Sequence, residues 1–278
     1  MIKFLAKGLI RDRSRSLFPL LTIIITVTLV IFGIGFMEGA MNNFLQSTAV
    51  ISSGHVKVVT KAYEKESSQL PNDLALFETN KIIQNLSDLY PNYFWTPRIT
   101  FGGLLDTPNE YGDTKEQGPV FGIGIDFHSK TSRQIEIWEL EKYLLHGNLP
   151  KNTNDALIST KLAKQLSVNI GSTVTLISTT MDNAFTTYNF EITGIFNLNK
   201  GQVDRQMMLV DISGARQALG MEGAASEILG YHQSLYYNDN EATSMRNDFN
   251  LTISDSITKV LRDEASYDAL SHMNGWNM

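Results

Sequence analysis

The sequence predicts an α+β protein: one N-terminal transmembrane helix followed by a mixed α/β outer domain. Three observations predict it. Residues Leu17 to Phe36, LFPLLTIIITVTLVIFGIGF, run for 20 residues without a charge. After them, short strand-like and helix-like stretches alternate irregularly, with no repeat of fixed period, the mark of a mixed fold. No later stretch is long and apolar enough to cross a bilayer again. With 278 residues, 42% of them hydrophobic, the chain can bury a sizeable core.

The apolar run comes first. At about 1.5 Å per residue it spans roughly 30 Å, the hydrocarbon thickness of a bilayer. Its flanks are unequal: Lys3, Lys7, Arg11, Arg13 and Arg15 precede it, and Glu38 follows it. Residues 1–36 carry a net +4 inside a chain of net −6. The positive-inside rule then makes residues 1–16 a cytoplasmic lead and places the acidic body outside. Pro19 is expected in the first helical turn, where its missing N–H costs little. A cleaved signal peptide would have an apolar stretch of about 7–15 residues and a small-x-small site. This run is longer, and Met37-Glu38-Gly39-Ala40-Met41 makes a poor site, so residues 17–36 read as an uncleaved anchor. Gly35 and Gly39 have the G-x-x-x-G spacing that lets helices approach closely, though glycine is also simply common in membrane helices. Met37, Met41, Phe44 and Leu45 continue the helical spacing. Residues 37–50 are therefore expected to be a helical stalk, packing its stripe on a partner helix or on its own domain.

The outer domain, 51–278, begins where Ser52-Ser53-Gly54 breaks the helix. His55–Val59 reads as a strand. Ile82, Ile83, Leu86 and Leu89 mark an amphipathic helix from about Leu76 to Leu89, stopped before Pro91. Phe94–Leu105 reads as extended chain, Asp106–Gly118 as a polar loop, Val120–Ile125 as a strand, and Glu136–Leu145 as a short helix ending at Gly147. From Asp155 the units shorten. Residues 156–158 form a strand. Lys161–Leu166 is a helix with Leu162, Ala163 and Leu166 inward. Thr173–Ser178 and Tyr188–Phe196 are strands around a turn at Met181-Asp182-Asn183. Gln206–Val210 is a strand, Ser213 opens a helix to Leu219, and Ser226–Tyr237 is a strand. Helices follow over about Glu241–Phe249 and Ile257–Met273.

A search for chemistry finds none. There are no cysteines, which excludes disulfides, thiolate metal sites and a thiol nucleophile. The acidic body lacks a basic stripe that could track phosphates, which excludes a nucleic-acid partner. His55, His128, His146, His232 and His272 include no i, i+4 pair and no H-E-x-x-H. No nucleophile elbow or phosphate loop occurs. Ser256-Ile257-Thr258-Lys259 matches S-x-x-K without its companion motifs. Gly122-Ile123-Gly124-Ile125-Asp126 lacks the third glycine of a nucleotide loop and is better explained by strand and turn glycines. Glu136, Glu139 and Glu141, with Lys142 beside them, read as a solvated helix face. Tyr231, Tyr236, Tyr237 and Phe249 read as core packing. No catalytic, cofactor-binding or metal residue is assigned, and no cofactor is implied.

Several phrases in a fixed order carry a family resemblance. Lys7-Gly8-Leu9-Ile10-Arg11-Asp12 precedes the span. Ser53-Gly54-His55-Val56-Lys57-Val58 follows it. Then come Gly124-Ile125-Asp126, Gly147-Asn148-Leu149-Pro150, Asp155-Ala156-Leu157-Ile158-Ser159, Val168-Asn169-Ile170-Gly171 and Phe190-Glu191-Ile192-Thr193-Gly194-Ile195-Phe196. Together they resemble the MacB/FtsX-type ABC transporter permeases, most closely the LolC/LolE-like lipoprotein-releasing branch. Phe127 stands where that family usually has proline.

The resemblance implies a MacB-like periplasmic core domain of two subdomains, the second over roughly 151–225. It also implies an inner (plasma) membrane location, an ABC ATPase subunit, a second permease subunit as homo- or heterodimer, and lipoprotein or hydrophobic cargo. It implies no enzyme activity in this chain, and transmits no site residue. Family permeases continue into three further spans, so the chain looks truncated. The competing expectation is a single-span, membrane-anchored ligand-binding or sensor protein.

Overall fold

The structure, a computed structural model, describes residues 13–109, 113–129, 132–198, 205–250 and 276–277. It divides into two compact units, Met1–Thr48 and Ala49–Met278. In the first unit, α1 (Arg13–Thr48) is one continuous helix. It is long and apolar enough to cross a membrane. Its large apolar side chains, from Leu17 to Phe44, are exposed on every face, as in a helix solvated by lipid or by partner helices. Pro19 lies inside this helix rather than in its first turn, because the basic residues before it are already helical.

The second unit opens on a π-helical turn, Ala49–Ser53. Gly54 (φ +68°) then ends the turn before β1, in a left-handed conformation that glycine adopts without strain. β1 (Val56–Thr60) leads into α2 (Lys61–Glu66), capped by Thr60, whose side chain accepts from the Tyr63 N–H. α3 (Thr79–Leu89) ends at Tyr90, as Pro91 requires. It begins three residues later than its periodicity suggests, because Leu76 is drawn into a bridge with Ala225. β2 (Tyr93–Pro108) and β3 (Thr114–Ile125) form a long hairpin. The expected loop 106–118 is thus mostly strand. Thr107 holds both the Glu116 carbonyl and its N–H through its hydroxyl, so backbone pairing reinforced by this side chain carries the ladder past the apolar core.

Glu136–Leu145 is not one helix. α4 (Gln134–Ile137) and α5 (Leu140–Tyr143) are single turns separated at Glu139 (φ +50°). Burial of Trp138 pulls the chain inward there, and β4 (Leu144–Gly147) pairs with a later strand instead of extending the helix. β5 (Asp155–Ser159), α6 (Thr160–Gln165), β6 (Thr173–Thr179), β7 (Phe185–Phe196), β8 (Met207–Asp211) and α7 (Ile212–Leu219) follow the sequence pattern closely. Asp211 rather than Ser213 caps α7, accepting from the Ser213 N–H. β9 (Glu227–His232) ends five residues before Tyr237, at a turn where Leu235 has φ +56°. α8 (Asp239–Asp248) is capped by Asn238. The expected helix 257–273 lies outside the described residues. β10 (Trp276–Asn277) pairs with β1.

Six strands close a ring. β2 pairs with β3, β3 with β8, β8 with β5, β5 with β7, β7 with β6, and β6 returns to β2. Alternate residues fill one core: Ile99, Phe101 and Leu105 of β2, Val174 and Leu176 of β6, Phe190 and Ile192 of β7, and Met208 and Val210 of β8. β5 and β8 are buried along their whole length, with continuous apolar stretches at 156–158 and 207–210. β2 also serves a second, smaller sheet. Its residues 93–98 pair with β9, which pairs with β1, and α3 and α8 cover that sheet's apolar residues.

Gly122 and Gly124 sit within β3, inside this packing. A Cβ at Gly122 would lie 2.0 Å from Cζ of Phe101, and one at Gly124 would lie 2.6 Å from the Ala215 Cβ. Gly122→Ala is therefore expected to destabilise the body by about 1–3 kcal/mol. Phe101→Leu in the same chain should recover part of the loss, read as the shift in urea unfolding midpoint.

Candidate functional site

The sequence-selected residues do not converge. His55 is buried on β1's edge, His128 and His146 are exposed, and His232 is half-buried at the end of β9. His272 and Ser256–Lys259 lie outside the described residues. Among the described residues, no group of His, Asp or Glu is arranged to hold a metal. Asp126 accepts from the N–H groups of His128 and Ser129 and so forms a turn rather than a phosphate cradle. Glu136 pairs with Arg133, and Glu139 with Lys142, on an exposed face. Tyr231 and Phe249 are fully buried, whereas Tyr236 is exposed.

What does converge is a corner that the motif search did not pick out. Arg98 and Glu227 are each 4% exposed, rare burial for charged side chains. They face each other in register across β2 and β9. Arg98 is the last residue of β2 paired with β9, and the next residue, Ile99, is the first paired with β3. Its side chain thus stands where β2 passes from the small sheet to the ring.

Both edges of the Arg98 guanidinium are used. Nε and Nη2 donate to Oε2 of Glu227, Nε at 2.8 Å. Nη1 donates to the Ile51 carbonyl at 2.8 Å, and Nη2 also donates to the Ser52 carbonyl. Tyr231, from β9, donates its hydroxyl to the Val50 carbonyl at 3.0 Å. Three consecutive carbonyls of the turn 49–53 are therefore held by two side chains. Carbonyls at a helix end carry partial negative charge and lack helical partners, so a cation is the favoured cap.

Lys57 completes the group, its Nζ 2.9 Å from Glu227 Oε1. Burial pushes the Glu227 carboxyl up, but Arg98 and Lys57 more than offset this, and its pKa lies below the ordinary carboxylate value. Beside the group, Ser226 accepts from the Thr100 N–H and donates to Asn72, fixing the next step of β2.

His55 packs against this corner. Its Nδ1 accepts from the His232 N–H at 3.1 Å, so the neutral ring carries its proton on Nε2. That Nε2 has no partner among the described residues. The ring lies edge-on to Tyr231, 5.6 Å between centroids. Burial, and then His232, lower its pKa to about 4. A cavity of about 310 Å³ opens alongside, lined by His55, Lys57, Tyr63, Tyr237 and Arg246. The corner holds no nucleophile–base pair. It fixes a chain segment in place.

A sequence model of the MacB-like periplasmic core domain matches residues 16–271. The chain belongs to this family. It is thereby placed among ABC transporter permease-type membrane proteins, which are transporter components. The periplasmic region of MacB from Actinobacillus actinomycetemcomitans is similar over 75% of this chain and 82% of that one, with 13% identity and a TM-score of 0.43. No curated protein matches the sequence.

The corner of this MacB-like body was legible only in part. A charge inside each of two otherwise apolar strand runs, Arg98 in YFWTPRITF and Glu227 in SEILGY, was the available signal. Glu227→Gln is expected to cost about 3–5 kcal/mol, because it strands a buried cation. Lys57→Ala should cost no more than about 1 kcal/mol, since that ammonium is partly hydrated. Urea unfolding compares the two. Acid should also loosen the body. Unfolded chains take up a proton at His55 below about pH 6.5, whereas the folded chain resists until about pH 4. Stability is therefore full above pH 6.5 and falls as pH drops through that window. His55→Gln should flatten this dependence in a thermal-melt pH series.

Proposed function

We propose that this chain is the permease subunit of an ABC transporter, coupling ATP hydrolysis in a separate subunit to movement of its own outer domain. One observation carries the reading. The turn that directly follows the apolar helix in sequence is bonded through three consecutive carbonyls to two paired strands: Ile51 and Ser52 to Arg98 of β2, the strand shared by both sheets, and Val50 to Tyr231 of β9. A displacement of that turn reaches the small sheet and the ring together. The family supports the same reading, since its members are transporter components.

In this proposal the N-terminus is cytoplasmic, the body lies on the outer side of the inner membrane, and a second permease subunit completes the assembly. The cargo is a lipoprotein or another hydrophobic molecule, as in the LolC/LolE-like branch. The basic residues before the span and the acidic body support this orientation.

Absence of cysteine makes the topology easy to read. Asp182→Cys, at the tip of the β6–β7 turn, should react with a membrane-impermeant maleimide in spheroplasts without lysis. Reaction only after lysis would reverse the assigned orientation. The coupling itself is tested by affinity purification of the membrane-extracted chain. An ATP-hydrolysing subunit should copurify, and Arg98→Lys, which keeps a cation for Glu227 but loses the grip on the turn, should leave hydrolysis running while export falls. Recovery of the chain without any nucleotide-binding partner would support the single-span sensor reading instead.

A further inference from the structure

The bonds around Arg98 fall into two classes. Toward Glu227 the guanidinium makes an ion pair reinforced by Lys57. Toward the turn it meets only neutral backbone carbonyls, those of Ile51 and Ser52. Tyr231 likewise offers one neutral hydroxyl to Val50. Separating Arg98 from Glu227 would strand two buried charges. Separating the turn from Arg98 keeps the ion pair intact, and the parted carbonyls and the guanidinium N–H groups that held them can take water as it enters the opened gap.

The turn is also a local departure from α-helix. π-helical segments are rare and recur at functional sites. Its partners come from different strands: Arg98 from β2 and Tyr231 from β9. They grip neighbouring carbonyls, so the bonds are geometrically set to form or break together.

We propose that residues 49–53 form a releasable latch. The turn detaches from Arg98 and Tyr231 as a unit, while Arg98, Glu227 and Lys57 remain joined as the fixed half of the catch. Under load, the body then parts between Arg98 and the carbonyls, not between β2 and β9. The cleft exposed by release adjoins the cavity beside His55 and Lys57.

Hydrogen–deuterium exchange on the full chain in detergent micelles tests this, and it needs no transport partner. It therefore succeeds or fails separately from the ABC reading. Tyr231→Phe keeps the ring in the core and removes the bond to Val50, together with the hydroxyl's contact with the Trp138 indole. It should speed exchange of amides 50–55 by roughly tenfold, the factor set by one hydrogen bond, and leave amides of β2 and β9 unchanged. Arg98→Lys keeps a cation for Glu227 but loses the fork, and should give the same selective pattern with a larger factor. Glu227→Gln should speed exchange in the turn, β2 and β9 alike. If Tyr231→Phe and Arg98→Lys leave the turn's exchange unchanged, or speed β2 and β9 as much as the turn, the latch does not exist.

Discussion

The buried guanidinium of Arg98 is the constraint on which the corner of this structure depends. A cation taken out of water must be neutralised, and each of its N–H groups must find an acceptor. Glu227 supplies the charge, and that demand holds β9 in register against β2. The donors left over are filled by carbonyls of the turn 49–53. One side chain therefore joins two requirements: the pairing of the small sheet and the place where the chain enters the body.

β2 extends this constraint to the rest of the fold. It is the strand common to both sheets, and Arg98 lies where its partner changes from β9 to β3. In its second half β2 pairs with β3 throughout and with β6 at residues 104–106. Close packing inside the ring, where the Phe101 ring lies directly over the Gly122 backbone, leaves little room for the strands to slide independently. Displacement at the turn thus reaches a stiff body rather than being absorbed within it.

That mechanical character fits the chemistry of the chain. Glu227 and His55 owe their shifted titration to ion pairing and burial in this corner.

Much of the fold was legible in local pattern. The uncharged span, the break at Gly54, the helix stopped before Pro91, and the strands of 155–211 follow from periodicity, turn residues and apolar runs, which act over a few residues. The misreadings share a cause. The polar ribbon 106–118 is strand because its two arms pair with each other, and Leu144–Gly147 is strand because β7 lies beside it; in both, backbone pairing makes the strand without a local apolar alternation to announce it. The sequence by itself determined that an apolar helix precedes an acidic α+β body without cysteine or metal-binding motifs. Only the tertiary structure decided that six strands close a ring, and that Arg98 meets Glu227 across 129 positions of chain and grips the turn at 51 and 52. Charge pairing and strand closure depend on distance in space, which spacing along the chain does not encode.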